Sequence, residues 1–410
     1  MMYATHLVCK GCGTHHPLDA RFACDRCFGP LEAAYDRVAL AREVSREAIA
    51  SGPSTLWRWA PFLPVEAPVH GLPVGNSPLI RADILAAELG LECELYVKTE
   101  TSNPTHSFKD RVVAVAVAKS VELGFEALAC ASTGNLAGAT AAAGAALGLP
   151  TYIFVPGDLE REKIISAAAY GATVFAVDGS YDDVNRLCSE LSYDHPWAFV
   201  NVNMRPYYAE GSKTIALETG EQLGWRVPDR VVVPVASGSL YTKILQGFEE
   251  GRAAGILADG AAPIMHGAQG EGCAPVATAF AAGSDEVIPV RPSGIAKSLA
   301  IGSPADGVYA LGVARDTGGS IEAVSDEQIV EGIRLLARTT GIFTETAGGV
   351  TTAVLQKLAE RGQIGAGETV VVYITGDGLK TIDAVEPSVR TIRVSPDPDE
   401  VDAALTSLAV

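Results

Sequence analysis

A parallel α/β protein with a small cysteine-bearing cap is what this sequence predicts, on three observations. From residue 75 onward, short Val- and Ile-rich runs alternate with longer amphipathic stretches, the pattern of parallel strands covered on both faces by crossover helices. Three of these runs pass directly into clusters of Gly, Ser, Thr and Asn. Two Cys-x-x-Cys pairs stand close together near the N-terminus. The 410 residues are 48% hydrophobic and 20% charged, a globular composition, and the length suits two or three domains.

Taken in order, residues 1–35 form a unit of their own. Cys9-Lys-Gly-Cys12 and Cys24-Asp-Arg-Cys27 can set four thiolates tetrahedrally around one ion, and an all-sulfur set fits zinc. Gly11, Gly13 and Gly29 supply the backbone freedom that such knuckles need. Only Lys10, Arg21 and Arg26 are basic here, so a structural cap is expected rather than a nucleic-acid reader. No other motif lies in the cap, and a chain starting near residue 36 is expected still to bind a ligand in the body. Cys93, Cys130, Cys188 and Cys273 are scattered and read as small buried hydrophobes.

Asp36–Ser51 reads as a helix and 53–68, with its Pro and Trp residues, as an arm. The body then alternates: strand Leu95–Val97, helix Lys109–Leu123, strand Ala127–Ala131, helix Leu136–Leu147, strand Thr151–Val155, helix Arg161–Tyr170, strand Thr173–Val177 and helix Tyr181–Leu191. Helix Glu210–Leu223, strand Arg230–Val235, helix Leu240–Glu250, helices Asp326–Thr340 and Gly348–Arg361, and strand Thr369–Ile374 follow.

The formal charge of −18 repels phosphate backbones and anionic lipid surfaces. Neither nucleic acid nor membrane is an expected partner. The N-terminus has no secretory pattern, and the most apolar stretch, Leu136–Pro156, is broken by Gly148 and Pro150. The expected location is cytoplasmic.

Three strand-to-helix junctions carry chemistry: Ser132-Thr133-Gly134-Asn135, Ala236-Ser237-Gly238-Ser239, and Thr375-Gly376-Asp377-Gly378-Leu379-Lys380. Free N–H groups at helix starts, with hydroxyls beside them, bind anions. At the carboxyl ends of parallel strands such loops converge on one crevice. No GxxxxGK[ST] or strand-borne GxGxxG is present, which weakens a nucleotide reading. In Asn103-Pro-Thr-His106-Ser107-Phe-Lys109-Asp-Arg111, Ser107 is placed to cap a helix and Lys109 falls in its first turn. A cation there opposes the helix dipole, loses its proton more easily and becomes a nucleophilic amine. A lysine near anion-binding loops points to a Schiff base with a phosphorylated aldehyde.

These motifs, S-F-K-D-R, S-T-G-N, Gly75-Asn-Ser-Pro-Leu79 and T-G-x-G-L-K in that chain setting, resemble the fold-type II pyridoxal-phosphate enzymes, and among them the threonine synthases. The resemblance runs from about residue 70 to 385 and extends to the cysteine cap. It implies two parallel α/β domains, a large one over 36–110 and 206–395 and a small one over 111–205, with 396–410 as a tail. It implies that Lys109 holds the cofactor and moves protons at the substrate's carbons, and that Asn135 meets the cofactor's phenolic oxygen. Ala236, Ser237, Gly238 and Ser239 would hold its phosphate. Thr375 would face the ring nitrogen with a neutral hydroxyl, a weaker electron sink than a carboxylate would give, suited to elimination and replacement. Ser132, Thr133 and Gly134 would receive the substrate carboxylate, with His106, Arg205 and Lys213 as further substrate contacts. Tyr208 stands where many relatives carry Arg, so Arg205 and Lys213 are the cations expected to meet a substrate phosphate.

The implied reaction converts O-phospho-L-homoserine and water to L-threonine and phosphate, in a protein expected to be a homodimer acting on a small amino acid. A second enzyme reading keeps the cofactor and changes the substrate, as in a cysteate synthase-like replacement or a threonine or serine dehydratase-like elimination. A cofactor-free zinc-ribbon binding protein is the non-enzyme reading; the intact lysine motif argues against it.

Overall fold

The computed structural model describes residues 2–68, 71–132, 134–157, 161–179, 181–389 and 391–408. The cap is an antiparallel sheet of β1 (Ala4–Cys9), β2 (His15–His16) and β3 (Leu31–Tyr35), in the order β2-β1-β3. Where one helix is expected over Asp36–Ser51, there are two, α1 (Arg37–Glu43) and α2 (Arg46–Ala50). The break is at Ser45, whose extended backbone and side-chain bond to the Ala48 N–H start a fresh helix.

In the body come β4 (Leu79–Arg81), α3 (Asp83–Glu88), β5 (Glu94–Thr99) and α4 (Lys109–Glu122). Next are β6 (Ala127–Ala131), α5 (Asn135–Leu147), β7 (Thr151–Pro156), α6 (Arg161–Ala168), β8 (Thr173–Val177), α7 (Tyr181–Asp194) and β9 (Trp197–Phe199). The chain continues through α8 (Arg205–Gly211), α9 (Thr214–Gln222), β10 (Arg230–Pro234), α10 (Ser239–Ala253), β11 (Ile264–Gly270), α11 (Pro275–Ala281) and α12 (Gly307–Asp316). It ends with β12 (Ser320–Val324), α13 (Asp326–Thr340), α14 (Thr346–Glu360), β13 (Thr369–Ile374) and α15 (Pro398–Leu408).

Two sheets result. One has the order β12-β11-β10-β13-β5-β4, parallel except for the β4 edge. The other, β8-β7-β6-β9, is parallel throughout. Every residue of β6, β10 and β13 is buried, as unbroken apolar runs require when helices cover both faces. α14 packs on the large sheet with Val350, Val354 and Leu358 turned into a core shared with Val232, Val370 and Val372.

The helix expected over Glu210–Leu223 is again two, α8 and α9, and α8 starts five residues early. Its end passes α4 at backbone range: a Cβ on Gly211 would lie 2.6 Å from the Arg111 carbonyl oxygen. The cap is not an appendage. Leu7, Leu31 and Ala33 are buried in one cluster with Val112, Val113 and Tyr207, so a chain starting near residue 36 would expose apolar surface of α4 and α8. Among the described residues no helix is long and apolar enough to cross a membrane.

Candidate active site

Lys109 is set by the turn before it. Thr105 donates from its N–H and its hydroxyl to Asp110, both at 2.8 Å, closing the loop onto the first turn of α4. The Phe108 N–H donates to the Thr375 carbonyl at 2.9 Å, and Ser107 pairs with Gly376 as an antiparallel bridge. The lysine turn is thereby stitched to the end of β13, and Thr375 comes to lie beside it. Ser107 accepts from the Lys109 N–H at 3.3 Å, although Phe108 is the capping residue.

A sealed set of charges holds this turn from behind. Arg111 donates to Glu100 at 2.6 and 2.9 Å and to Glu218 at 2.7 and 3.1 Å, with both carboxylates and the guanidinium at most 2% exposed. The N–H groups of Asn76 and Ser77 also bind Glu218, each at 2.8 Å, which gives the G-N-S-P motif its structural reason. Burial would raise the Glu218 pKa, but the charges of Arg111 and Lys98 outweigh it and hold the carboxyl well below the usual range.

In front, the half-buried Lys109 ammonium donates to the Tyr208 hydroxyl at 3.0 Å. Asn135, the first residue of α5, donates from Nδ2 to Glu345 at 3.0 and 3.2 Å and accepts at Oδ1 from Lys380 at 2.7 Å. A carboxylate on the nitrogen and an ammonium on the oxygen leave the amide one orientation. Glu345 is 3% exposed. Burial raises its pKa, against the opposing pull of Asn135, Lys380 and Lys109. It fits only because position 376 is glycine: a Cβ there would lie 2.5 Å from its Oε1. Burial lowers the Lys380 pKa, opposed by Glu345, Asp110 and Asp377.

The third loop opens the 15-residue α10. Gly238 has φ +95°, and its missing side chain makes room for the Asp306 carbonyl, which a Cβ would meet at 2.7 Å. The Ser237 and Ser239 hydroxyls and that of Thr375 make no hydrogen bond among the described residues. The set fits pyridoxal phosphate on the chemistry of its donors: unengaged hydroxyls and helix-start N–H groups for a phosphate, an oriented amide for a phenolic oxygen, a neutral hydroxyl for a ring nitrogen, and an amine for an aldehyde.

The other expected residues are placed as follows, and one of them is closed off. Lys213 is fully buried, 2.6 Å from both Glu210 and Glu250 and over the Tyr35 ring at 3.9 Å; it is a core ion pair with no open side for a substrate. Arg205 is held by Asp306 at 3.2 Å. Ser132 is buried and accepts from the Gly134 N–H at 3.4 Å. His106 is exposed, in a left-handed turn with φ +59°. Ala236 is half-buried before the α10 loop. Thr133 lies outside the described residues.

Glu345 and Lys380 are additions, and Tyr208, noted in the sequence only for standing where many relatives carry Arg, meets the Lys109 amine directly. Lys380 closes a motif already singled out. Glu345 had one available signal, an acidic residue immediately before a helix.

In the cap, the Sγ atoms of Cys9, Cys12, Cys24 and Cys27 all lie within 4.8 Å of one another, with Cys9–Cys27 at 3.4 Å and Cys12–Cys24 at 3.7 Å. Tetrahedral bonds of about 2.3 Å would put sulfurs about 3.8 Å apart. The four thiols fit a metal ion. Gly29 is in place because Cys9 and Cys27 sulfurs would lie only 3.0 and 3.2 Å from a Cβ.

Comparison with known proteins agrees with this geometry. Residues 71–376 match the model of a family described as pyridoxal-phosphate dependent enzyme. The threonine synthase of Methanocaldococcus jannaschii is 38% identical over 98% of this chain and 97% of its own length; that of Methanosarcina acetivorans is 37% identical over 98% and 97%. Among solved structures, a fungal L-serine ammonia-lyase from Rhizomucor miehei has a TM-score of 0.63 at 21% identity, covering 76% of this chain and 96% of that one, a likeness of fold alone. With its lysine turn, its three loops and its full-length relatives in agreement, the chain belongs to the pyridoxal-phosphate dependent enzymes and, within them, to the threonine synthase family.

Proposed function

We propose that this protein converts O-phospho-L-homoserine and water to L-threonine and phosphate. What supports the reading is the Lys109 turn bridged to the end of β13 beside Thr375, with the Asn135 amide held by Glu345, which packs on Gly376 of the same loop, in a chain like threonine synthases from end to end. Bound pyridoxal phosphate supplies electron withdrawal from the substrate's α- and β-carbons. Lys109 Nζ takes the proton from Cα and then from Cβ, and Tyr208 Oη orients that amine between transfers. Phosphate leaves from Cγ, the hydroxyl of water adds at Cβ with its other proton going to the phosphate, and Lys109, carrying one proton at a time, returns protons to Cγ, which becomes the methyl carbon, and to Cα. Ser237, Gly238 and Ser239 hold the cofactor phosphate at the start of α10, and Ser132 with Gly134 receives the substrate carboxylate.

Purified protein given pyridoxal phosphate and O-phosphohomoserine should release threonine and phosphate one for one, and Lys109→Ala should release neither. One observation favours a second reading, elimination on serine or threonine: both cations of the 205–213 segment are engaged by carboxylates, and the residue facing Lys109 is a neutral tyrosine. Deamination of threonine or serine with no turnover of O-phosphohomoserine would establish it.

The cap's four thiols support one structural zinc per chain. The sheet memberships support the division into a 111–205 domain and a larger one built from 36–110 and 206–395. Cytoplasmic location and a homodimer complete the proposal; size-exclusion with light scattering tests the latter.

A further inference from the structure

The cysteine cap touches the loop proposed to hold the cofactor phosphate. Lys10 lies between Cys9 and Cys12. Its ammonium is 3.3 Å from Glu32, 3.8 Å from Asp306 and 3.7 Å above the Tyr309 ring, with the lysine side chain 15% exposed. Asp306 is the bracket of the phosphate loop: its N–H donates to the Ser237 carbonyl at 2.8 Å, and its own carbonyl fills the space left by Gly238. Its other carboxylate oxygen accepts from Arg205, the first residue of the helix that carries Tyr208. A second strut runs in parallel. Glu32 of β3 is 3.1 Å from Lys243 on α10, and Tyr35 donates to Glu210, which also binds Lys243.

We infer that Lys10 is a positioning residue through which metal occupancy of the cysteine cluster and cofactor binding at Ser237–Ser239 are linked. The inference rests on the zinc and phosphate-loop readings above. The argument is mechanical and electrostatic. The Lys10 backbone is fixed by the Cys9–Cys12 knuckle and by its N–H bond to the Pro30 carbonyl. Four sulfurs this close stay together as thiolates only around a cation. Without the ion the knuckle relaxes, and Lys10 no longer holds its ammonium against Asp306. Asp306 then loses one of two cations that fix its side chain, and the loop whose carbonyl and glycine it brackets is less preorganised for phosphate. Linkage is reciprocal, so bound cofactor should also retain the metal more firmly.

The test is a titration of pyridoxal phosphate, followed by its absorbance, into zinc-loaded and chelator-treated protein, each checked for zinc content and for fold by circular dichroism. Zinc-loaded wild type is expected to bind cofactor about five- to twenty-fold more tightly than the metal-free form. Lys10→Met should keep its zinc, because Lys10 is not a ligand, yet bind cofactor as weakly as metal-free wild type and respond little to chelation. Wild type that loses zinc and keeps its cofactor affinity overturns the inference. If chelation unfolds the protein, zinc-loaded Lys10→Met decides alone, and cofactor affinity equal to wild type overturns it. A wild type that takes up no zinc removes the metal reading itself, and one that binds no cofactor removes the proposed function; both are distinct from an intact site without linkage.

Discussion

Two groups of buried charges flank the candidate site, and they differ in what they join. The Arg111, Glu100, Glu218 and Lys98 group is closed to solvent and joins elements of the body alone: β5, α4, α9 and the G-N-S-P turn. The Lys10, Glu32, Asp306, Arg205 and Lys243 group has side chains 3–26% exposed and joins the cap to α8, α10 and the start of α12. Both use the same carboxylate–cation chemistry. The closed group fixes the lysine turn once, at folding; the bridging group fixes the phosphate loop through a separate module whose state can change. Exposure and connectivity, more than the count of ion pairs, set what each group can do.

Breaking the closed group should have the largest effect. Glu218→Ala leaves Arg111 and Lys98 short of a buried counter-charge and should cost about 3–5 kcal/mol of stability by denaturant unfolding. An effect below about 1 kcal/mol would mean that water reaches the group. Acid sharpens the comparison next. Burial would raise the Glu210 pKa, but Lys213 and Lys243 hold it at about 2. A depressed carboxylate stabilises above its unfolded pKa of about 4.3 and loses that contribution as pH falls. Stability should therefore decline from about pH 4.5 towards 2, and Glu210→Gln, weaker at neutral pH, should show a flatter decline; an equal slope would assign the acid response elsewhere.

Arg205→Ala should leave stability within about 1 kcal/mol, since the pair is partly exposed, while raising the cofactor dissociation constant several-fold through Asp306; an unchanged constant would detach Asp306 from the loop. The smallest change is expected from Lys380→Met. It releases one partner of the Asn135 amide and the bond to the Thr105 carbonyl, should cost at most about 1 kcal/mol of stability, a melting-temperature shift of a few degrees at most, and should shift the pH dependence of the bound cofactor's absorbance. A spectrum identical to wild type at every pH would show that Glu345 alone orients the amide.

The legible parts of the sequence were those fixed by local pattern. The unbroken Val runs of β10 and β13 declare buried parallel strands. Helix α13 begins at its expected residue because Ser325 and Gln328 form a reciprocal cap. β11, Ile-Met-His-Gly-Ala-Gln-Gly, has no such signature; Gly267 is needed because Val235 and Ile321 would lie 2.9 and 3.1 Å from a Cβ, a constraint set by distant residues. The same holds in the site. Lys109 and the three loops show as local motifs, whereas Lys213 fails as a substrate contact because Glu250, 37 residues away, closes it. Glu345 and Lys380 meet Asn135 across more than 200 residues. The cap's docking against α4 is equally non-local.

The near-touch of Gly211 on α4 has a practical meaning for redesign. Tyr208 lies one turn earlier on the same short helix, half-buried and in contact with the amine, so it is the natural position at which to diversify the pocket for new substrates. Its reach depends on how closely the two helices approach, and a Cβ at 211, 2.6 Å from the Arg111 carbonyl oxygen, would force them apart. A library that randomises 205–211 as a block would discard most of its members to misplacement of Tyr208; one that varies 208 and keeps glycine at 211 would spend its diversity on chemistry.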